Sequence, residues 1–375
     1  MNKKICMCAA AALALASCSN DELVEVAKND AINFRTVVGL NTKATEIKTA
    51  DLETKGVYVT TFDAAGNLLF GETHYTKQAD GTFSASQYWG NNASLDFYLT
   101  LPKLSEWVAN ASLTDTNKKL VGVTVKDKIA DQVDLVAVAK TSVTKTADAI
   151  NVELQHVLSQ IEIKAKNGND NYVYKVKGVR INNVSNKADI DLSSNSWSNV
   201  SAEVGNIKSY EVKYATSKEI TLGTTESTLT VKEADGTTVD NAMLIPQGAT
   251  TAWNGTATSA DGTTPVAGTY ISVLVNITAK NGGAAVYPKG STTAVETYGW
   301  VAVPVAFTWE KGNKYIYTLD FTNGAGKVDP VNPGPDVRPG TTDPGKAEPV
   351  LGDEIKFTVT VKEWTPQTEI KPSMN

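Results

Sequence analysis

From Ile355 to Val361 the chain alternates without exception: Ile355, Phe357, Val359 and Val361 are apolar, and Lys356, Thr358 and Thr360 between them are polar. A period of two is the pattern of a β-strand with one buried face, and no helix can use it. The strand expected here runs to Trp364. The stretch before it, Asn323 to Pro349, holds six Pro and five Gly and almost no large apolar residue. Such a composition favours an extended, solvated spacer, which at about 3 Å per residue would reach roughly 80 Å. A strand on a spacer of that reach can complete its own sheet or pair with a neighbour's.

The other end of the chain speaks to compartment. Lys3 and Lys4 precede an apolar run from Ile5 to Ala16, too short to span a bilayer and of the form of a secretory signal. It ends in Leu15-Ala16-Ser17-Cys18, which resembles a bacterial lipobox, in which the cysteine is acylated and becomes the first mature residue. Several acyl chains on Cys18 would hold the protein at a membrane, where a single chain would not. Ser19-Asn20-Asp21-Glu22 resembles the acidic export tag of surface-displayed lipoproteins. Residues 1–17 are therefore expected to be a signal peptide and 18–30 a flexible lead.

Of the three cysteines, Cys6 and Cys8 lie in that signal, so a mature chain beginning at Cys18 has neither a disulfide framework nor a cysteine metal site. Only His74 and His156 could serve a Ser-His-Asp triad, and no His-rich metal centre can form. His156, between two alternating stretches, is expected to be buried and bonded to backbone. The net charge is −6 with the basic residues scattered, which argues against nucleic acid as a partner. No carboxylate pair or nucleophile elbow stands in a recognisable setting, so neither an enzymatic activity nor a cofactor is expected. Trp89, Trp107, Trp197, Trp253 and Trp300 are open to two readings, core packing or sugar-stacking platforms.

The remaining sequence has an all-β vocabulary: Thr, Val, and Asn-Gly or Asp-Gly turns. Strands are expected at Ala31–Val38, Gly56–Phe62, from Leu68, Ser94–Pro102, Asp134–Ala139, Ile150–Leu154 and Ile161–Ala165, with Asp63–Asn67 as a hairpin turn. Residues 103–131 read as loop plus a short helix, and 189–199 as a polar loop. Further strands are expected at Tyr172–Asn182, Asn241–Gln247, Tyr270–Ala279, Trp300–Trp309 and Tyr315–Phe321. The length suggests two domains, with a hand-over near Gln155–Ser159. The expected division is 31–158, 159–322, a Pro/Gly-rich linker at 323–353 and a C-terminal strand at 354–375.

These landmarks resemble the fimbrillins, lipoproteins that build type V pili. The resemblance rests on the lipobox at Cys18, Ile32-Asn-Phe34 followed by Thr42-Lys-Ala-Thr45, Leu95-Asp-Phe-Tyr98 and Gln132-Val-Asp-Leu135. Leu154-Gln-His-Val-Leu-Ser159, Leu244-Ile-Pro-Gln247, Trp309-Glu-Lys-Gly-Asn-Lys-Tyr315 and the closing strand complete the series. It implies two consecutive β-sandwich domains, transthyretin-like with Greek-key connections, and a tethered C-terminal strand. It also implies a location at the cell outer membrane or in a surface fimbrium, and a trypsin-like protease that removes the first strand. The emptied groove would accept a donor strand, here Ile355, Phe357, Val359 and Val361, from another copy or a related pilin subunit. The family's cleavage position usually carries Arg after the first strand. Here the loop has Lys43, and Arg35 sits inside the strand. The alternative is a surface lipoprotein that never polymerises: a pilus anchor, or an adhesin for glycan or a host protein.

Overall fold

The computed structural model describes residues 30–38, 46–257, 266–291, 297–334 and 336–363. Cys18, Lys43, the signal segment, the Thr42–Thr45 motif and Trp364 lie outside the described residues. The first half contributes β1 (Ala31–Val38), β2 (Val57–Asp63), β3 (Leu68–Lys77), β4 (Phe83–Tyr88), β5 (Ser94–Leu101), β6 (Lys119–Thr124), β7 (Val136–Thr144) and β8 (Ile150–His156). Where a two-sheet sandwich is expected, seven of these close into a barrel in the order β1-β4-β3-β2-β5-β7-β8. Closure comes from β1, which pairs antiparallel with β4 and parallel with β8, so it joins two otherwise separate edges. The alternation along β8 is clean, with Ile150, Val152 and Leu154 turned into the barrel. Leu95, Phe97, Leu99 and Leu101 of β5 meet them there.

Residues 103–131 hold a helix of one turn (Leu104–Trp107) and the strand β6. β6 makes its pairs with the second half rather than with the barrel. There the chain forms β9 (Ser159–Lys166), β10 (Tyr172–Ser185), β11 (Lys187–Asp191), β12 (Ser196–Ser198), β13 (Ile207–Lys213), β14 (Ile220–Thr221), β15 (Ser227–Thr228) and β16 (Ala242–Leu244). It continues with β17 (Tyr270–Ala279), β18 (Ala285–Tyr287), β19 (Gly299–Pro304), β20 (Asn313–Asp320), β21 (Lys327–Val328) and β22 (Lys356–Glu363). One sheet has the path β13-β10-β17-β19-β21, with β14 on β10 and β18 on β17. A second runs β15-β9-β20-β22 with β16 on β9, and a small third sheet runs β12-β11-β6. The expected polar loop at 189–199 is thus part of a hairpin, built on β6. The two larger sheets share one core, in which Ile161, Ile163 and Leu319 of one meet Val176, Ile271 and Val301 of the other. Val157 and Leu158, between β8 and β9, are buried in this core, so the chain passes from barrel to second half without a linker.

Residues 323–353 differ most from expectation. They are not an extended spacer but a folded excursion that leaves and returns at one place. Ala325 N–H donates to Leu351 O at 2.9 Å, Val350 N–H to Gly326 O at 2.9 Å, and Asp353 N–H to Asn323 O at 3.0 Å. The strands approach so closely that a Cβ on Gly324 would collide with the backbone of Asp353. The excursion covers the face of the β17 sheet that carries Ser272, whose Oγ accepts from Asn182 Nδ2 at 3.0 Å and donates to the excursion. Its anchor is Asp329, fully buried. One carboxylate oxygen accepts Ser272 Oγ at 2.6 Å and lies 3.7 Å from Arg180 Nη1. The other accepts the backbone N–H of Val331 at 2.9 Å and of Asn332 at 2.8 Å. Arg180 is held from its other sides by Glu211, at 2.5 Å, and by the Trp300 ring, 3.6 Å away. Composition signals that such a segment cannot make a core of its own; it says nothing of docking onto a core already present.

Removing a buried carboxylate strands its donors and its cationic partner, at a cost of about 3 kcal/mol. Asp329→Ala is expected to lower unfolding free energy by about that amount and to expose residues 329–343 to limited proteolysis, with Asp329→Asn much milder. A variant as stable and as resistant as the wild type would show that Asp329 does not anchor the excursion.

Candidate assembly interface

Two strands are unusual in how they are held. The first is β1, whose Ile32, Phe34, Thr36 and Val38 are buried inside the barrel. The Phe34 ring meets those of Tyr75 and Phe97 edge-on, each with centroids 5.2 Å away. Trp89 stands edge-on to Phe97 at 5.8 Å. Three buried polar atoms in this interior have no hydrogen-bond partner among the described residues: Thr36 Oγ1, Tyr75 OH and Trp89 Nε1. Burial pushes the Tyr75 phenol above its ordinary pKa. Arg35 points outward and is exposed, with its backbone in the ladder opposite Asn151 of β8.

From residue 46 onward the chain is held by several buried contacts. Ile47 N–H donates to Asp134 Oδ2 at 3.0 Å, and His156 Nδ1 meets the same oxygen at 2.7 Å. Glu46 is buried and accepts from Gln160 Nε2. His156 is buried as expected, but against a carboxylate rather than only backbone. This His–Asp pair is closed to solvent, and the hydroxyl of nearby Ser159 is turned to Glu310 O at 2.8 Å. His74 is a surface residue stacked on Tyr58 with centroids 4.7 Å apart.

The second strand is β22. It pairs with one neighbour, β20, in the register Leu319↔Phe357, Tyr317↔Val359 and Tyr315↔Val361. It is the outermost strand of its sheet, and its apolar face extends the core-facing side past the point where the opposite sheet covers it. Phe357, Val359 and Val361 are consequently 37%, 44% and 54% exposed, whereas their β20 partners are buried. Burial raises the Tyr317 phenol to about 12. Ile355 is set apart from the other three: it is 3% exposed and packs beside Gly326 in the shared core. The sequence marks all four as one face but not which of them are covered.

Four of the five tryptophans with two readings, Trp89, Trp107, Trp253 and Trp300, are buried. Trp197 is half-buried, donates from Nε1 to Val157 O at 2.6 Å, and lines a cleft of about 570 Å³ with Pro246, Gln247, Trp309 and Lys311. Burial lowers the Lys311 pKa, and its ammonium donates to Ser194 O and Asn195 O, each at 2.8 Å. Among the described residues no group of three His, Cys, Asp or Glu side chains is placed to hold a metal ion. No helix among them is long and apolar enough to cross a membrane.

No curated protein matches the chain in sequence. Solved structures of similar fold include candidate cell adhesion proteins of Parabacteroides distasonis and Bacteroides ovatus. The first is 14% identical, covering 89% of this chain and 98% of that one with a TM-score of 0.49. The second is 12% identical, covering 90% and 98% with a TM-score of 0.43. The tip fimbrial protein Mfa3 of Porphyromonas gingivalis, truncated at its C-terminus, is 12% identical, covering 88% and 100% with a TM-score of 0.38. A family described as fimbrillin-like matches residues 42–364, most of the sequence. The chain therefore belongs to the fimbrillin-like family.

Proposed function

We propose that this protein is a structural subunit of a cell-surface fimbria that supports adhesion and joins its neighbours by exchanging strands. In this reading it is exported as a lipoprotein acylated at Cys18. A trypsin-like protease cuts after Lys43, β1 leaves the barrel, and β22 of another copy or a related subunit takes its place. The chain then divides functionally into a receiving unit, residues 31–158, and a donating unit, residues 159–322 with its two-sheet sandwich core and the C-terminal strand. The observation that carries the reading is the half-uncovered apolar face of β22. An edge strand with a free backbone and exposed apolar side chains is a template for pairing with another chain. Seating four apolar side chains in a barrel contributes roughly 1.5–3 kcal/mol each, enough to make the joint slow to open.

Of the two cleavage candidates this reading takes Lys43. Arg35 lies within β1, its backbone registered opposite Asn151 of β8, and proteases take accessible, unpaired backbone. A cut there would also leave Thr36 and Val38 in the barrel. A second reading, a non-polymerising surface lipoprotein that serves as anchor or binds a glycan or host protein, draws on the cleft beside Trp197. Glycan-array binding by a strictly monomeric chain, lost in Trp197→Phe, would favour it.

Protein taken from the surface of its own cells is expected to begin at Ala44 without lipid. Lys43→Ala should block that processing and abolish polymer, while Arg35→Ala leaves both intact. A mature protein starting at acylated Cys18 would count against the strand-exchange reading. Val361→Asp is more than half exposed in the monomer and is expected to change unfolding free energy by less than about 1 kcal/mol. It should nevertheless eliminate high-mass ladders on native gels, because the acid would have to be buried in the receiving barrel. Ladders of normal length from Val361→Asp would remove β22 as the donor.

A further inference from the structure

The two strands that trade places in the reading above carry nearly the same inward-facing residues. β1 presents Ile32, Phe34, Thr36 and Val38 at alternate positions; the C-terminal strand presents Ile355, Phe357, Val359 and Val361. Resting on the strand-exchange reading, we propose that β22 enters the barrel in the same direction as β1, position for position, and that Val359 in place of Thr36 biases the exchange forward.

The direction follows from packing. Aligned in parallel, Ile355 falls on the place of Ile32, Phe357 on that of Phe34 and Val361 on that of Val38. The aromatic ring again meets Tyr75 and Phe97. Aligned in reverse, a valine would leave the Phe34 site underfilled and Phe357 would be forced into the space of Thr36. Cavities and overpacking both destabilise, so the reversed strand fits poorly.

The bias follows from the one inward position that differs. Thr36 Oγ1 is buried with no hydrogen-bond partner among the described residues. Valine has almost the same shape with a methyl in place of the hydroxyl, so Val359 fills the site without an unsatisfied polar atom. The outward positions agree in sense: Val37 is 49% exposed on β1, and its counterpart on β22 is Thr360. The starting place of β22 adds to the difference. On β20 its Phe357, Val359 and Val361 are about half uncovered, so of the four inward residues only Ile355 gives up a fully buried place when the strand leaves.

Two measurements on the full chain test this. Asn151 is the ladder partner of Arg35, so Thr358 of an incoming strand in β1's direction would sit opposite Asn151. Asn151→Cys with Thr358→Cys is expected to give a reducible crosslink between copies in the polymer; both positions are exposed. Second, the ratio of exchanged polymer to processed monomer that keeps its first strand is read by mass spectrometry for the wild type, Thr36→Val and Val359→Thr. Each substitution should lower that ratio roughly ten- to hundredfold, the effect of one buried unpaired hydroxyl. Thr36→Val should at the same time make the monomer more resistant to denaturant, which a merely disruptive change would not do. Polymer that forms without the crosslink, or with an unchanged ratio in Thr36→Val, would overturn the register or the bias while leaving strand exchange standing. Absence of both polymer and crosslink in every variant, wild type included, would overturn strand exchange and this inference with it.

Discussion

The barrel depends on one strand held between two neighbours of opposite sense. β1 runs antiparallel to β4 and parallel to β8, and without it these two strands are the free edges of an open sheet. The interior depends on it too, since Phe34 is the ring against which Tyr75 and Phe97 both pack. Yet the same strand carries Thr36, a hydroxyl buried without a partner among the described residues. The element that closes the barrel is also an imperfect filling for it.

The second half shows the complementary imbalance. β22 has a good strand sequence and a complete ladder to β20, but its apolar face overhangs the core instead of entering it. Hydrogen bonds hold it in place, while about half of the burial that Phe357, Val359 and Val361 could gain is unrealised. A backbone ladder contributes modestly once exchange with water is counted; apolar burial is the larger reserve. One strand is therefore buried with a fault and another is exposed without one, and both carry the same alternation.

Strong local patterns made much of this legible in the sequence. Ala31–Val38, Ser94–Leu101 and Tyr270–Ala279 are strands where alternation or an apolar run placed them, and β22 begins where its pattern begins. The features that escaped are set by distant partners. β6 and β12 are short and lack a clean alternation, and they pair because β11 lies between them. Barrel closure requires β1 to meet β8, far along the chain, and no local pattern encodes that meeting. The excursion at 323–353 was misjudged for a similar reason. Proline and glycine report that a segment lacks a core, but Asp329 docks it on a surface made by Ser272, Arg180 and Trp300. Ile355, Phe357, Val359 and Val361 were readable as one face, whereas the burial of Ile355 apart from the rest depends on Gly326 beside it.

The ladders that would survive loss of β1 constrain how an exchange can proceed. β4 would keep only Thr76–Ser84 and Lys77–Phe83 as registered pairs with β3, and β8 only Val136–His156 and Ala137–Gln155 with β7. The chain just past residue 45 stays fixed through Ile47 on Asp134 and Glu46 on Gln160, so that end is not released with the strand. An emptied barrel would thus have one firm corner and two walls on short ladders, around an interior of exposed aromatic rings. In the proposed exchange such a state would be costly, which favours filling that accompanies emptying. The incoming strand would pair with β4 or β8 while part of β1 is still in place, and a shared direction and residue pattern let the two strands occupy successive positions of one slot.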